Sequence, residues 1–126
     1  MSEASEKGQA LRRKVLGDKY VDSVAPTDDP FAAVLQKYVA ENVWGGIWLR
    51  PGLELKTRSY LNLAMLTVLA RPELKIHIRG ALNNGITREE IAEVFIQAAM
   101  YGGVPVAVEA FRAAREVFAE EDAKSR

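Results

Sequence analysis

Apolar residues recur along this chain at spacings of three and four, and Gly, Pro and Asn or Asp residues separate the runs. Such spacing places apolar side chains on one face of an α-helix, and no segment shows convincingly the alternation typical of a β-strand. The pattern therefore predicts an all-α fold of about six helices. With 126 residues, the chain is predicted to form a single domain over residues 1–126.

The first half of the chain is predicted to hold two helices. The first runs over about residues 6–16 and ends at residues 17–18. The second covers about residues 30–43, with Asp29 as its N-cap and a proline at its first position. Its apolar face is made of Phe31, Val34, Leu35 and Tyr38.

Two segments of the first half are predicted to be non-helical. Residues 22–30 contain two prolines, three aspartates and a threonine, a composition typical of a loop. Residues 44–52 contain three glycines, a proline and both tryptophans of the chain, which predicts a compact break.

The second half is predicted to begin with its most buried helix. Residues 54–70 are apolar nearly all round, as expected for a central helix. The next helix opens at residues 71–72 and ends at Asn83-Asn84-Gly85, which favours a purely structural role for these three residues.

Two further helices complete the prediction. Thr87 and Glu90 have the spacing of a capping box, so a helix should start there and end near residues 101–103. The last helix should start at residues 104–105, and the charged tail at residues 120–126 is expected to fray. Its inward face is predicted to consist of Val108, Phe111, Ala114 and Phe118.

Composition restricts the classes of partner. Seventeen basic and seventeen acidic residues give a formal net charge of zero, which does not favour nucleic acid or an anionic membrane as a partner. The N-terminus lacks the basic and apolar regions of a secretory leader, and no apolar run approaches the ~20 residues of a membrane span. We expect a soluble, cytoplasmic protein that acts on a small molecule.

Several kinds of catalytic site are missing from the sequence. The chain has no cysteine and one histidine, so it cannot build a nitrogen- or sulfur-rich metal site by itself. No glycine-rich phosphate loop is present. We therefore expect neither a metal nor an organic cofactor, which leaves acid–base and electrostatic chemistry for an enzyme.

His77 is the side chain whose ordinary pKa lies nearest neutrality. Glu73 lies four residues earlier, on the same helix face, where its carboxylate would orient the imidazole and keep it protonated. The alternative is a surface Glu–His pair without catalytic purpose, and the spacing alone favours that alternative.

Arg58 and Asn62 are four residues apart on the otherwise apolar helix and share a face. An arginine that faces a protein interior needs an anionic partner, either a carboxylate or a bound ligand. In the alternative, Arg58 extends to solvent or pairs with Glu54.

Trp44 and Trp48 place flat aromatic walls near the positive charge of Arg50, a combination suited to a small planar anion. The alternative is packing at a subunit interface, where Trp and Arg are common. Glu41, one turn before Trp44, is a candidate acid–base group or else a solvated helix-face glutamate.

Four stretches together resemble the carboxymuconolactone decarboxylase family. They span residues 44–53, 56–59, 77–91 and 101–105, with residues 12–17 resembling the same subgroup. The resemblance implies an all-helical protein that forms a homotrimer or homohexamer. It also implies decarboxylation of 4-carboxymuconolactone to the enol-lactone of 3-oxoadipate, in aromatic catabolism.

The wider superfamily includes alkylhydroperoxidase-like proteins with a Cys-x-x-Cys-x-x-x-His motif. If His77 is aligned with that histidine, the two cysteine positions are occupied by Ala70 and Glu73, and the early acidic position by Ser59. A thiol peroxidase activity is therefore disfavoured.

Within that resemblance, Arg58 is predicted to bind the anion or stabilise the oxyanion, and His77 to deliver a proton. Glu41 is the alternative proton shuttle. Substrate binding is assigned to Trp44, Trp48, Arg50 and Asn62. Two alternatives stay open: an enzyme for another β-keto or vinylogous acid, and a non-catalytic oligomeric scaffold that binds a ligand.

Overall fold

The computed structural model describes residues 2–24 and 28–125. Within these ranges the chain forms seven α-helices and one π-helical segment, without a β-strand. The prediction of an all-α fold is confirmed, although the helices number seven rather than about six. Their bounds are α1 Glu3–Leu16, α2 Asp18–Ser23, α3 Pro30–Tyr38, the π-helical segment Val39–Ile47, α4 Leu55–Val68, α5 Leu74–Asn83, α6 Arg88–Gly102 and α7 Val104–Lys124.

Contacts within the chain divide it into two compact units, Met1–Leu55 and Lys56–Arg126. None of the helices in the described ranges is long and apolar enough to cross a membrane.

In the first unit, α1 begins earlier than predicted because Ser2 caps it, its hydroxyl accepting a hydrogen bond from the Ser5 backbone at 3.1 Å. Gly17 adopts a φ of 91° and turns the chain directly into α2. The predicted loop at residues 22–30 is therefore wrong at its start, since α2 continues to Ser23. Residues 25–27 of that loop lie outside the described residues.

The start of α3 matches the prediction: the Asp29 carboxylate accepts a hydrogen bond from the Phe31 backbone at 3.0 Å, and Pro30 occupies the first turn. No α3 residue is buried. The apolar face is largely exposed, with values of 88% for Phe31, 72% for Val34, 65% for Leu35 and 61% for Tyr38.

The predicted break at residues 44–52 is wrong over residues 44–47, because the chain continues as a π-helix to Ile47. The reason is a close approach to α1. A Cβ on Gly45 would lie 2.2 Å from the Ala4 carbonyl oxygen, and one on Gly8 would lie 2.3 Å from that of Ala40. These glycines therefore serve helix–helix contact and not a turn.

The second unit has a side-chain core contributed by α4 to α7. Phe95 is fully buried and meets Phe111 edge-on, with ring centroids 5.6 Å apart. The largest core residues around it, each at most 1% exposed, are Leu63, Ile78, Ile91 and Val117.

Helix α4 is not the most buried helix, contrary to the prediction. Its buried residues form a single narrow stripe, Ser59, Leu63 and Thr67. The opposite face is exposed, at 44% for Leu61 and 52% for Met65, and Leu69, just after the helix, is 66% exposed. An apolar sequence on all sides thus does not mean burial on all sides within one chain.

The later helices follow the predicted punctuation with three differences. The capping box is confirmed, with Thr87 and Glu90 exchanging both hydrogen bonds. Helix α5 starts two residues late, at Leu74, and Val108 is 50% exposed and not inward. Over the described residues the tail is helical to Lys124 and not frayed, and Arg88 pairs with Asp122 there at 2.6 Å. Arg126 lies outside the described residues.

Candidate functional site

Helices α4 and α5 bring two of the predicted site residues together. The Asn62 amide nitrogen Nδ2 lies 3.4 Å from His77 Nδ1. Arg58 lies one turn before Asn62 on α4, and all three residues are partly buried. The second unit thus contains a cation, an amide and an imidazole on two adjacent helices.

The protonation state of His77 differs from the expectation. Desolvation lowers its pKa to about 4, and the nearby Glu73 carboxylate, which raises the pKa, does not compensate. The imidazole is therefore neutral at pH 7, and the prediction that Glu73 keeps it protonated is wrong. Glu73 instead pairs with Arg71 at 3.4 Å. Proton delivery from an imidazolium would require a minor form of the resting protein.

A second polar contact joins α4 to the end of α5. Ser59 is fully buried, and its Oγ accepts a hydrogen bond from Asn84 Nδ2 at 2.9 Å. Asn84 also closes α5 through its backbone N–H, as the sequence predicted. The side-chain contact was missed, although a serine on an apolar helix is a sign of a buried polar partner.

A third polar contact, between α4 and α6, was also not predicted from the sequence. Tyr60 donates a hydrogen bond to Glu90 Oε2 at 2.5 Å, which ties α4 to the capping box. That bond, with help from the Thr87 backbone, lowers the pKa of Glu90 to about 2, and it raises the pKa of Tyr60. A surface cleft of about 400 Å³ lies beside this pair.

In the first unit, the predicted aromatic walls pack against each other. Trp44 and Trp48 stack with ring centroids 4.9 Å apart and are 5% and 4% exposed. Glu41 lies 4.0 Å from Lys37, and Arg50 is exposed. The observed role of the tryptophans is packing, and a substrate-binding role for them, Arg50 or Glu41 stays a prediction.

Across residues 2–24 and 28–125, no group of three or more His, Cys, Asp and Glu side chains is arranged to hold a metal ion. The polar groups of α4 and α5 can bind an anion and donate hydrogen bonds to it.

Comparison with known proteins decides the family. The family model for "Carboxymuconolactone decarboxylase family" matches residues 33–116, a segment that includes Arg58, Asn62 and His77. The chain belongs to the carboxymuconolactone decarboxylase family. The resemblance seen in the sequence is thereby confirmed.

Two relatives of this carboxymuconolactone decarboxylase family protein have named activities. The 4-carboxymuconolactone decarboxylase of Acinetobacter baylyi is 36% identical over 114 residues, which is 90% of this chain and 85% of that protein. The nitrosuccinic acid decarboxylase npaB of Metarhizium robertsii is 42% identical over 106 residues, or 83% and 74% of the two chains. Both are decarboxylases, so by homology this family member is a carboxy-lyase.

Proposed function

We propose that this protein decarboxylates 4-carboxymuconolactone to the enol-lactone of 3-oxoadipate, without a cofactor, as a step in aromatic catabolism. The observation that carries the proposal is the 36% identity to the Acinetobacter enzyme across 90% of this chain. The Arg58, Asn62 and His77 group of the second unit supports it, because its chemistry suits an anionic substrate.

The reaction requires from the protein mainly a positive charge and hydrogen-bond donors. The bond from the ring carbon to the carboxylate breaks and CO2 leaves. Its electron pair moves through the conjugated double bond onto the lactone carbonyl oxygen, giving an enolate, and the ring then gains a proton at carbon. The substrate is therefore its own electron sink, and the protein must stabilise the oxyanion.

We assign recognition of the substrate's negative charge to Arg58, whose guanidinium offers several hydrogen-bond donors in a planar arrangement. We assign stabilisation of the oxyanion formed on loss of CO2 to His77. Because the pKa of His77 is about 4, the neutral imidazole is the form present at pH 7, and it acts by donating a hydrogen bond.

A second candidate substrate is nitrosuccinic acid, favoured by the 42% identity to the Metarhizium enzyme. In that acid the nitro group accepts the electron pair that the departing carboxylate leaves, so the same cation and hydrogen-bond donor would serve. The two candidates share one feature, a carboxylate whose bonding electron pair can pass to an electron sink within the substrate itself.

The experiment is a direct comparison of the two acids with the purified full chain. We expect kcat/KM for 4-carboxymuconolactone to exceed that for nitrosuccinic acid by at least about tenfold, a difference of about 1.4 kcal/mol in transition-state binding. If kcat/KM is higher for nitrosuccinic acid, nitrosuccinic acid replaces 4-carboxymuconolactone as the proposed substrate. Tight binding of both acids without release of CO2 would contradict the proposed decarboxylase activity and would favour a non-catalytic scaffold that binds a ligand.

We also propose that the chain self-associates as a homotrimer or homohexamer. The support is the exposed apolar surface, which on α6 alone includes Ile96 at 57%, Met100 at 82% and Tyr101 at 84%. A large amount of exposed apolar surface commonly marks an interaction site. Light scattering should give the mass of three or six chains, and Met100→Glu should lower it. A stable monomer of the wild type would contradict the proposal.

A further inference from the structure

We infer that Asn62 is a positioning residue, one that holds the His77 imidazole in the neutral tautomer whose hydrogen is on Nε2. The catalytic meaning of this inference rests on the proposed function, but the tautomer itself does not. Asn62 was expected to bind substrate, whereas the structure places its amide against the imidazole.

The Asn62 amide and the His77 imidazole face each other through one nitrogen atom of each side chain. Asn62 Nδ2 carries two hydrogens, so it donates hydrogen bonds and does not accept them. It lies 3.4 Å from His77 Nδ1, within hydrogen-bond distance. A nitrogen that faces a donor must present a lone pair. Nδ1 therefore lacks a hydrogen, and in a neutral imidazole the hydrogen then belongs to Nε2.

The helices fix both partners. Asn62 is on α4 next to Leu63, which is fully buried, and His77 is on α5 next to Ile78, which is also fully buried. Both polar side chains are themselves partly buried, which restricts their rotamers. The contact is therefore held by the core of the second unit and not by a mobile surface chain.

The same contact opposes the charged form. An imidazolium would carry a hydrogen on Nδ1 and turn it toward the hydrogens of the Asn62 amide. The Glu73 carboxylate, on the N-cap residue of α5, favours the charged form, but desolvation outweighs it and holds the pKa of His77 at about 4. Desolvation thus favours the neutral imidazole, and the contact with Asn62 selects its Nε2–H tautomer.

The consequence for the proposed reaction is specific. Nε2–H is the hydrogen that His77 offers to the oxygen that gains charge when CO2 leaves. A neutral imidazole can stabilise an oxyanion in this way without being an acid of low pKa. We assign the proton that completes the product to solvent water. The substrate carboxylate and one water molecule then give the protonated product and bicarbonate, so that atoms and charge balance.

The test uses the fact that His77 is the only histidine of the chain. In the ¹⁵N-labelled full chain at pH 7, a long-range ¹H–¹⁵N correlation spectrum shows one pair of ring nitrogens. We expect Nδ1 in the shift range of an unprotonated imidazole nitrogen and Nε2 in that of a protonated one. Reversed shifts, or two averaged values from exchanging tautomers, would overturn the inference without any variant being needed.

Two variants distinguish a role of Asn62 in positioning the imidazole from a role in stability alone. Asn62→Asp exchanges the donor for a carboxylate of the same shape, so the hydrogen should move to Nδ1 and the pKa of His77 should rise. Ser59→Ala, which removes a buried hydrogen bond on the same helix, should leave the tautomer unchanged. An Asn62→Asp spectrum identical to that of the wild type would contradict the inference.

Kinetics distinguish this inference from the proposed function. With a substrate that turns over, kcat of Asn62→Asp should fall about a hundredfold, with a smaller change in KM, because the hydrogen is on the wrong nitrogen. If the Nε2–H tautomer is found and no acid is decarboxylated, the proposed function fails and the inference stands. If decarboxylation is found with Nδ1 protonated, the inference alone fails.

Discussion

The two units of this chain pack their helices in opposite ways. In the first unit, α1 and the π-helical segment meet backbone to backbone, with Gly8 and Gly45 leaving no room for a Cβ. In the second unit, α4 to α7 surround large side chains such as Phe95, which is fully buried. The first unit is therefore sensitive to added atoms, and the second to removed atoms.

The difference also separates packing from chemistry. Both tryptophans belong to the first unit, where they stack on each other. The polar contacts between α4 and α5, including Asn62 with His77, belong to the second unit. Tryptophan fluorescence and histidine NMR consequently report on different units, so each unit can be perturbed and observed separately.

The largest expected effect is in the second unit. Phe95→Ala removes a ring from the core and should lower the free energy of unfolding by about 3–5 kcal/mol. Circular dichroism during urea unfolding measures the loss. The control is Gln97→Ala at an exposed position of α6, which should change stability by less than about 0.5 kcal/mol. Equal effects of the two variants would contradict a side-chain core around Phe95.

The next effect tests the first unit by adding one methyl group. Gly45→Ala would place its Cβ 2.2 Å from a carbonyl oxygen of α1, and the repacking should cost about 3 kcal/mol. Tryptophan fluorescence should then shift at lower denaturant concentration. Gly46→Ala, whose Cβ would lie 3.5 Å from the nearest atom, is the matched control and should not destabilise. Similar stability of Gly45→Ala and Gly46→Ala would contradict a close backbone contact between α1 and the π-helical segment.

A pH effect comes from the link between Tyr60 and the capping box. The pKa of Glu90 is lowered to about 2, so its contribution to stability is present above pH 4.5 and is lost as the pH falls toward 2. His77 has a depressed pKa of about 4, so stability also falls as the pH drops from 6.5 to 4.

Thermal midpoints measured across this range separate the two groups. Tyr60→Phe should reduce the loss below pH 4.5, and His77→Gln should reduce the loss above pH 4. An unchanged acid profile in Tyr60→Phe would show that its hydroxyl does not stabilise the Glu90 carboxylate.

The smallest effect concerns the end of α4. Ala70 adopts a φ of 54°, a left-handed conformation that costs a non-glycine residue about 1 kcal/mol. Ala70→Gly should therefore stabilise the chain by up to about 1 kcal/mol in chemical denaturation. Ala119→Gly, inside α7, should destabilise by a similar amount. Destabilisation by both variants would contradict strain at Ala70.

Local signals in the sequence located most helix boundaries. Asp29 and the Thr87–Glu90 box start α3 and α6 as expected, because capping depends on residues within one turn. The π-helical segment was missed because its glycines have the composition of a turn. Their purpose, contact with α1, depends on residues about 40 positions earlier in the chain.

Apolar periodicity showed which faces are apolar but not what covers them. Phe31 and Met65 lie on faces that are exposed within this chain, because periodicity does not say whether the partner surface belongs to the same molecule. The candidate site was partly predictable for a similar reason. Helical spacing grouped Arg58 with Asn62, whereas the approach of His77 to Asn62 requires the packing of α5 on α4.

The most direct test of the account is the kinetics of Arg58→Ala and His77→Ala with whichever of the two acids the wild type decarboxylates. We predict that each variant lowers kcat/KM by about a hundredfold or more, since one loses the cation and the other the hydrogen-bond donor. Gln97→Ala should retain the wild-type value. Unchanged kcat/KM in both Arg58→Ala and His77→Ala would contradict the central claim that α4 and α5 carry the decarboxylation.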